Sequence, residues 1–400
     1  HIDAIVLTHA HLDHSGYIPL LMRRGFKGPV WTSVATRELC EILLPDSGHL
    51  QERDAEFANK HGFSKHTPAL PLYTEAEGAA AISLFRNVKF AEKVDLGGGL
   101  TAEFHRAGHI LGAAWVILRY EGRSILFSGD LGRKIDPVML EPEPPMQADY
   151  LVVESTYGDR LHSAIDPLDA LEEVINRTTR RGGVVVIPAF AVGRTQSLLY
   201  YISELKRAGR IDNVPVAIDS PMAIEATAVF CDNLQAHKLS EQQCRDVFGA
   251  VKYARQVEDS MELDRKDGPM ILISASGMAT GGRILHHLKA FVGDPKNTVL
   301  FTGFQAGGTR GDAMLRGAKE LKIHGDYYEI HAEVERLDML SAHADRNEII
   351  EWLQQMPRAP RRTFVTHGEP QAADTMRQTI EEKLGWDAYV PEYRDEFELH

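Results

Sequence analysis

The segment Thr8-His9-Ala10-His11-Leu12-Asp13-His14-Ser15-Gly16 follows an apolar run of four residues that is typical of a buried strand. Three imidazoles and one carboxylate lie within six consecutive positions of this segment. His9 and His11 are two residues apart, so a turn or an extended segment can aim both at one point. Asp13 and His14 lie where a helix is expected to begin, so their side chains can point elsewhere. The pattern therefore predicts a loop that supplies two adjacent metal ions, because no packing requirement explains this density of ligands.

The composition is that of a globular protein, and 400 residues predict two domains. Hydrophobic residues make up 44% of the chain, yet no apolar run approaches the roughly 18 residues that cross a bilayer. No secretory signal is visible, and the three cysteines lie far apart without zinc spacing, which predicts a reduced cytoplasmic protein. The net charge of −13 argues against a surface that coats polyanions generally. This net charge is still compatible with a nucleic-acid substrate that binds in a local basic cleft.

Further ligand types follow strand-like runs in the first 155 residues. His109 lies among small residues that allow close approach of the backbone, and Asp130 lies between two glycines after an apolar run. Glu154 ends the next apolar run. Taken singly, these would be a core histidine, a turn aspartate and a solvated strand end. Their repetition at successive strand ends favours one site, and imidazole with carboxylate suits zinc, with manganese or iron as weaker choices.

The pattern of predicted elements changes after Asp159. Before it, we expect helices at 36–44 and 52–61, paired as a hairpin, and a strand at 94–103. After it, strands alternate with helices of a length that predicts a parallel, doubly wound sheet with its own core. Glycine-rich turns in this region, at 276–283 and 307–311, and the segment 190–194 either hold a phosphate with backbone amides or are structural turns.

The last sixty residues return to ligand-type side chains. His343 lies in Ser-Ala-His-Ala-Asp before a predicted helix. His367 follows an apolar strand and a threonine and precedes a helix, which repeats the pattern at the start of the chain. Alone, either histidine is more simply a helix-cap or surface residue. Together with the earlier positions, both are candidates for the same site.

The opening His-x-His-x-Asp-His motif resembles the signature of the metallo-β-lactamase superfamily. Later motifs resemble the β-CASP nucleases, in particular bacterial and archaeal homologues of the mRNA 3′-end cleavage endonuclease. The resemblance covers essentially the whole chain and is carried by Glu154, His343, His367 and the segments 219–223, 276–283 and 303–307. Such relatives have strands and an acidic motif before the first histidine motif. Because this chain begins at His1 without a methionine, we expect its natural amino terminus to be missing.

The resemblance implies an α/β fold, namely a metallo-β-lactamase αββα sandwich with an inserted doubly wound α/β (β-CASP) domain. The implied domains are residues 1–158 as the first part of the metallo-β-lactamase domain, 159–340 as the β-CASP domain and 341–400 as the carboxy-terminal part of the first domain. The implied function is a zinc-dependent ribonuclease that hydrolyses phosphodiester bonds in single-stranded RNA by a two-metal mechanism. We expect the RNA to run between the two domains.

The resemblance also assigns roles to single residues. One zinc ion is expected to bind His9, His11 and His109, the other Asp13, His14 and His367, and Asp130 is expected to bridge both. The expected catalytic residues are His343 as the general acid, Glu154 as the group that orients it, and Asp13. The expected substrate contacts are Tyr157, Arg194, Ser341 and Arg310.

Two other functions share this pattern. A small ester or thioester hydrolase could use the same metal site, but it would need neither the long insert nor His343. An inactive RNA-binding scaffold subunit is a second alternative, but no expected ligand is missing here. The sequence leaves open whether cleavage is endonucleolytic, which we favour, or proceeds from the 5′ end. It also leaves open whether the protein is a monomer or a homodimer, and it gives no sign of a membrane partner.

Overall fold

Two structural units make up the chain, of which the computed structural model describes residues 2–62 and 64–400. The first unit combines His1–Leu161 with His343–His400, and the second unit is His162–Ala342. Within the described residues, no helix is both long enough and apolar enough to cross a membrane.

The first unit begins with a small parallel sheet covered by a long helix. Its elements up to the second unit are β1 (Ile5–Val6), α1 (Leu12–Ser15), α2 (Ile18–Arg23), β2 (Val30–Ser33), α3 (Val34–His61), α4 (Glu75–Ala81), β3 (Phe85–Val88), β4 (Lys93–Gly97), β5 (Leu100–Arg106), β6 (Ala114–Tyr120), β7 (Arg123–Phe127) and β8 (Tyr150–Glu154). Strands β1, β2 and β3 pair in parallel in that order. Ser33 caps α3 by accepting the Thr36 N–H, and α3 packs on β2 and β3.

The chain returns to the first unit at His343 and completes a seven-stranded sheet. The returning elements, in chain order after those of the second unit, are α12 (Arg346–Leu353), β17 (Arg362–Thr366), α13 (Pro370–Leu384) and β18 (Ala388–Tyr389). The strand order is β18-β17-β8-β7-β6-β5-β4. Val88 and Trp31 of the small sheet pack with Phe104 and Val116 of the large sheet, and α13 packs on β17 and β18. These layers form an αββα sandwich.

The second unit is a parallel sheet with helices between its strands. Its elements are α5 (Pro167–Arg180), β9 (Val184–Pro188), α6 (Arg194–Arg207), β10 (Val216–Asp219), α7 (Pro221–Asp232), α8 (Glu241–Gly249), β11 (Lys252–Tyr253), α9 (Val257–Asp264), β12 (Met270–Ser274), α10 (Ile284–Phe291), β13 (Thr298–Phe301), α11 (Arg310–Leu315), β14 (Glu320–Ile323), β15 (Asp326–Glu329) and β16 (Glu333–Arg336). The order β11-β10-β12-β9-β13-β16 is parallel throughout. Every residue of β9, β10, β12 and β13 is buried, as expected for central strands covered on both faces.

The predicted helical hairpin at 36–44 and 52–61 is wrong, because α3 is one continuous helix through Pro45. Proline lacks the N–H that would continue the helical hydrogen bonding, so the sequence favoured a break there. In the structure, α4 packs closely across this point. A Cβ on Gly78 of α4 would overlap the carbonyl group of Leu44. Packing against α4 thus outweighs the cost of the missing hydrogen bond.

The single strand predicted at 94–103 is also wrong, because β4 and β5 form an antiparallel hairpin. Gly97 ends β4, and Gly98 and Gly99 lie between the two strands; the three have positive φ angles of 95°, 62° and 87°. Only glycine adopts this backbone region at little cost, so three successive glycines allow a reversal that a continuous strand could not make.

A buried ionic network lies at the carboxyl end of β10 in the second unit. Both ring nitrogens of the fully buried His287 face carboxylates, with Nε2 2.8 Å from Asp219 Oδ2 and Nδ1 2.6 Å from Asp264 Oδ1. Arg283 donates to the other Asp219 oxygen at 2.5 Å. Burial alone would lower the pKa of His287, but the two carboxylates raise it above its ordinary value. His287 is therefore an imidazolium that joins α9, α10 and β10.

This network predicts a pH-dependent stability. Because the folded pKa of His287 is raised, its contribution is fully present below the unfolded value of about 6.5 and is lost as the pH rises through the folded value. We expect His287→Gln to lower the free energy of unfolding by about 3 kcal/mol in mildly acidic solution, because it leaves the buried Asp219 carboxylate without one of its two cationic partners. Denaturant unfolding at about pH 6 and about pH 9 should show this difference shrinking at the higher pH.

His331→Gln is the matched control, since His331 is 55% exposed in the same unit. It should change the unfolding free energy little at either pH. A His287→Gln difference that stays constant over this range would contradict the imidazolium assignment.

Candidate metal centre

The seven predicted metal-ligand side chains lie together in the first unit. They form two groups in which one donor atom of each residue lies within 4.8 Å of those of the others: His9, His11, His109 and Asp130 in the first group, and Asp13, His14 and His367 in the second. All come from loops or helix starts that follow strands, so the strands fix their positions. The sandwich therefore brings together residues that are as much as 358 positions apart, from His9 to His367.

The first group is centred on one oxygen of Asp130. Its Oδ2 lies 3.3 Å from Nε2 of His9 and 3.7 Å from Nε2 of His109. The Nδ1 atom of His11 lies 3.2 Å from Nε2 of His109. His9, His109 and Asp130 are at most 2% exposed.

The second group faces the other oxygen of Asp130 and is more open to solvent. Nε2 of His14 lies 3.4 Å from Asp130 Oδ1 and 3.1 Å from Nε2 of His367. Nε2 of His367 lies 3.2 Å from Oδ2 of Asp13, whose side chain is 62% exposed. Asp130 is thus the residue placed between the two groups.

The separations between donor atoms fit metal coordination. Ligand atoms at about 2.0–2.1 Å from a tetrahedral zinc ion are about 3.3 Å from one another, close to the values in both groups. Buried His9 Nε2, in the first group, and buried Asp130 Oδ1, which faces the second group, have no hydrogen-bond partner among the described residues. Buried polar atoms without partners are costly, so a cation at each group explains their placement better than packing does.

The electrostatics also favour cation binding. Burial lowers the pKa of His9 and His109, and burial together with His9 lowers the pKa of His11 to about 3. These imidazoles are therefore neutral, which is the form that binds metals. Burial alone would raise the pKa of Asp130, but His9 and His14 hold it well below its usual range, so the carboxylate is ionised.

His367 differs from the buried histidines. Burial would lower its pKa, but Asp13 and Asp130 raise it to about 9. Without a cation, the imidazole is therefore in its charged form at neutral pH, and it would have to lose a proton to bind a cation through the nitrogen that faces Asp13.

His343 and Glu154 form a pair beside the first group. The Nδ1 atom of His343 lies 3.2 Å from Oε2 of Glu154, which is 1% exposed. The other oxygen, Oε1, accepts the N–H of Leu131 at 2.6 Å. The His343 ring lies 4.3 Å from the ring of His109, and burial, which would lower its pKa, is outweighed by Glu154, which raises it.

Short backbone contacts hold His343 in place. It forms a β-bridge with Gly132, and the N–H of Ala344 donates to the carbonyl oxygen of Leu131 at 2.8 Å. The chain therefore returns to the first unit beside the loop that carries Asp130.

The four predicted substrate contacts are divided between the two units. Tyr157 is 2% exposed and packs along His343, with ring centres 6.2 Å apart. Arg194, Ser341 and Arg310 belong to the second unit. Arg194 and Ser341 are buried, and Arg310 donates to backbone carbonyl groups of Lys322 and Thr280. Their role in binding stays a prediction.

Thr156 was not among the predicted site residues, yet its hydroxyl contacts both the ring and the carbonyl group of His367. The only sequence signal was its position two residues after Glu154, in Glu-Ser-Thr-Tyr-Gly.

Profiles of three protein families match successive parts of the chain. The metallo-β-lactamase superfamily matches residues 1–179, the β-CASP domain matches 195–314, and the Zn-dependent metallo-hydrolase RNA specificity domain matches 327–391. A ribonuclease from Thermus thermophilus is 35% identical over 378 residues, which cover 92% of this chain and 81% of that protein. The chain belongs to the β-CASP ribonuclease family of the metallo-β-lactamase superfamily.

Further similar proteins are consistent with membership of this family. An RNase J-like protein from Methanocaldococcus jannaschii is 32% identical, with 98% of this chain and 87% of that protein covered. Transcription termination factor FttA from Pyrococcus abyssi is 32% identical over the whole of this chain, which spans only 62% of its length. A solved structure of a protein of unknown function from Enterococcus faecalis V583 shares the fold, with a TM-score of 0.51, 12% identity, and 97% of this chain and 79% of that chain covered.

Membership of this β-CASP family confirms the predicted fold class and the predicted enzyme class, a metal-dependent RNA hydrolase. The His and Asp groups give this hydrolase side chains that can bind a metal ion.

The two-sided position of Asp130 gives a prediction about metal binding. Asp130→Ala removes both carboxylate oxygens, of which one faces each donor group, so we expect it to weaken metal binding at both. Zinc content after dialysis, measured by elemental analysis, should fall well below that of the unchanged protein. Glu382→Ala, which alters an exposed acid on α13, should leave the zinc content unchanged. If the Asp130→Ala variant still binds two zinc ions, Asp130 does not bridge two metal sites.

Proposed function

We propose that this protein is a two-zinc ribonuclease that cleaves single-stranded RNA endonucleolytically in RNA processing or decay. The observation that carries the proposal is the pair of donor groups that share Asp130, with the His343–Glu154 pair beside them. The match of residues 327–391 to an RNA specificity domain supports RNA as the substrate. The three free cysteines support a reducing, cytoplasmic setting.

We further propose the division of ligands between two cations. His9, His11 and His109 would hold one, and Asp13, His14 and His367 the other, with one Asp130 oxygen for each. Zinc fits the imidazole-rich set best, and manganese or iron(II) could replace it. A pair of such ions, when bound by these residues, would supply a water of lowered pKa and would stabilise charge on the phosphoryl oxygens in an in-line displacement. Asp13, the most exposed carboxylate of the set, is suited to orienting the incoming water.

His343 is proposed as the general acid. Its Nδ1 is bonded to Glu154, so Nε2 is the nitrogen that can give a proton to the leaving group. When the bond between phosphorus and the 3′ oxygen breaks, that oxygen takes the proton from Nε2. The water loses one proton to solvent and adds to phosphorus as hydroxide, so the products are a 5′-phosphate and a 3′-hydroxyl. Glu154 stabilises the protonated imidazole before transfer and fixes the orientation of the ring.

The two alternatives are less well supported. An ester or thioester hydrolase would not require the His343–Glu154 pair or an RNA specificity domain. An inactive scaffold would not need to keep a full donor set with buried atoms that lack hydrogen-bond partners. The domain limits at 158 and 340, the passage of RNA between the domains and a homodimeric state remain predictions.

The direct test uses end-labelled single-stranded RNA, fully paired RNA and single-stranded DNA, each with added zinc and with a chelator. We expect zinc-dependent cleavage of single-stranded RNA at internal positions, and little cleavage of paired RNA. Binding of uncleaved RNA should weaken as salt rises, because phosphate contacts release counterions. Shortening only from the 5′ end would replace the endonuclease assignment, and hydrolysis of small esters without RNA cleavage would overturn the proposal.

The general-acid role gives a quantitative prediction. His343→Ala should keep both zinc ions, because His343 belongs to neither donor group, and should keep most of the RNA affinity. Its single-turnover cleavage rate should fall by roughly a hundred- to ten-thousand-fold, the usual contribution of a positioned acid. Glu154→Gln should act in the same direction with a smaller effect.

The cleavage rate and the zinc content should be measured on the same preparations. His49→Ala, at an exposed histidine of the first unit, is the control and should match the unchanged protein. Loss of a zinc ion in His343→Ala would make His343 a ligand. Near-normal cleavage with both ions bound would remove it from the reaction.

A further inference from the structure

The hydroxyl group of Thr156 contacts both the ring and the backbone carbonyl group of His367. The Oγ1 atom of Thr156 lies 3.1 Å from Nδ1 of the His367 ring and 3.1 Å from the carbonyl oxygen of the same residue. Thr156 is 8% exposed and immediately precedes Tyr157, which packs along His343. The opposite ring nitrogen, Nε2, faces Asp13 and His14 at 3.2 Å and 3.1 Å.

The number of hydrogens fixes the direction of these two bonds. A threonine hydroxyl has one hydrogen and can also accept, whereas a carbonyl oxygen can only accept. The hydroxyl hydrogen must therefore go to the His367 carbonyl oxygen. The remaining lone pairs of Oγ1 then face Nδ1, so Nδ1 must carry the hydrogen of that bond. A neutral His367 ring is consequently protonated on Nδ1 and has its lone pair on Nε2, toward Asp13 and His14.

We propose that Thr156 is a positioning residue that fixes the tautomer and the ring orientation of His367 for cation binding by the second donor group. This inference rests on the proposed metal site. A metal-binding imidazole typically donates its other N–H to an oxygen atom, which fixes the ring and raises the basicity of the binding nitrogen. The Asp130 Oδ1 atom is 3.3 Å from the same Nδ1, but it already lies between the two donor groups.

The hydrogen bond from Thr156 to the His367 carbonyl oxygen also affects the backbone. His367 has a φ angle of 55°, in the left-handed region that is unfavourable for a residue with a Cβ. Donation from Thr156 to the His367 carbonyl oxygen stabilises this conformation. The neighbouring hydroxyl, that of Ser155, instead donates to the Thr366 carbonyl oxygen at 2.7 Å and has no contact with the ring among the described hydrogen bonds.

The test compares Thr156→Val, Thr156→Ala and Thr156→Ser in the full chain. Zinc affinities are measured by competition with a chromophoric chelator, and thermal unfolding is followed on the same samples. We expect the valine and alanine variants to bind one of two zinc ions about 10- to 100-fold more weakly, the usual effect of losing such a partner. The other ion should be held as tightly as before. Thr156→Ser keeps the hydroxyl and should restore the affinity.

Ser155→Ala is the matched control, because it removes an adjacent buried hydroxyl that bonds the same strand end but not the ring. It should leave both zinc affinities unchanged. Equal zinc affinities in Thr156→Val and the unchanged protein, or equal weakening of both sites, would overturn the inference while leaving the two-zinc proposal intact. An unchanged protein that binds no zinc would overturn both.

A measurement on the unchanged protein does not depend on how the variants fold. Nitrogen-15 spectra of the histidine rings in the zinc-loaded protein should show the hydrogen of His367 on Nδ1. A hydrogen on Nε2 instead would rule out the role of Thr156, whatever the zinc affinity.

Discussion

The site depends on the contacts that the buried carboxylate of Asp130 makes with the surrounding imidazoles. Asp130 is 2% exposed, and each of its oxygens faces a different set of imidazoles. A charge in this position is costly unless cations or imidazolium groups surround it. The separation of the two oxygens therefore sets the spacing between the donor groups, and every other ligand must be delivered around it.

Glycines allow the loops that carry the donor side chains to approach one another closely. The loop that carries Asp130 and the loop that carries His109 run side by side, joined by the Gly132 N–H to the Ala107 carbonyl oxygen at 2.8 Å. A Cβ on Gly132 would overlap the carbonyl group of Gly108. Gly129, with a φ angle of 54°, has no room for a side chain beside Thr8. Larger residues at these positions would push the loops apart and separate the donor atoms.

The insertion of the second unit between β8 and α12 also has a chemical consequence. The chain leaves the first unit soon after Glu154 and returns at His343, and these two side chains are bonded to each other. Thr156 lies in the same departing segment and holds His367. A short stretch of chain thus orients both histidines that come after the insert. Sequence positions that are distant from each other are joined here by the paired ends of β8 and β17.

The sequence by itself determined the ligand types and the alternation of elements. Imidazoles and carboxylates after apolar runs indicate metal chemistry wherever they occur, and periods of two and 3.6 residues distinguish strands from helices. Those local signals predicted the alternation of strands and helices after Asp159, and the structure shows it. They failed at Pro45 and at Gly97–Gly99, because packing of α4 and a glycine turn outweighed local preference there.

Only the tertiary structure decided which oxygen of Asp130 faces which histidine, that Tyr157 is buried, and that Thr156 bonds His367. These facts depend on atoms brought together from distant parts of the chain by sheet pairing and close loop packing. No local sequence pattern specifies the position of a side-chain atom to within a few tenths of an ångström. The residue types that could bind a metal ion are therefore readable from the sequence, whereas their hydrogen bonds and orientations require the folded structure.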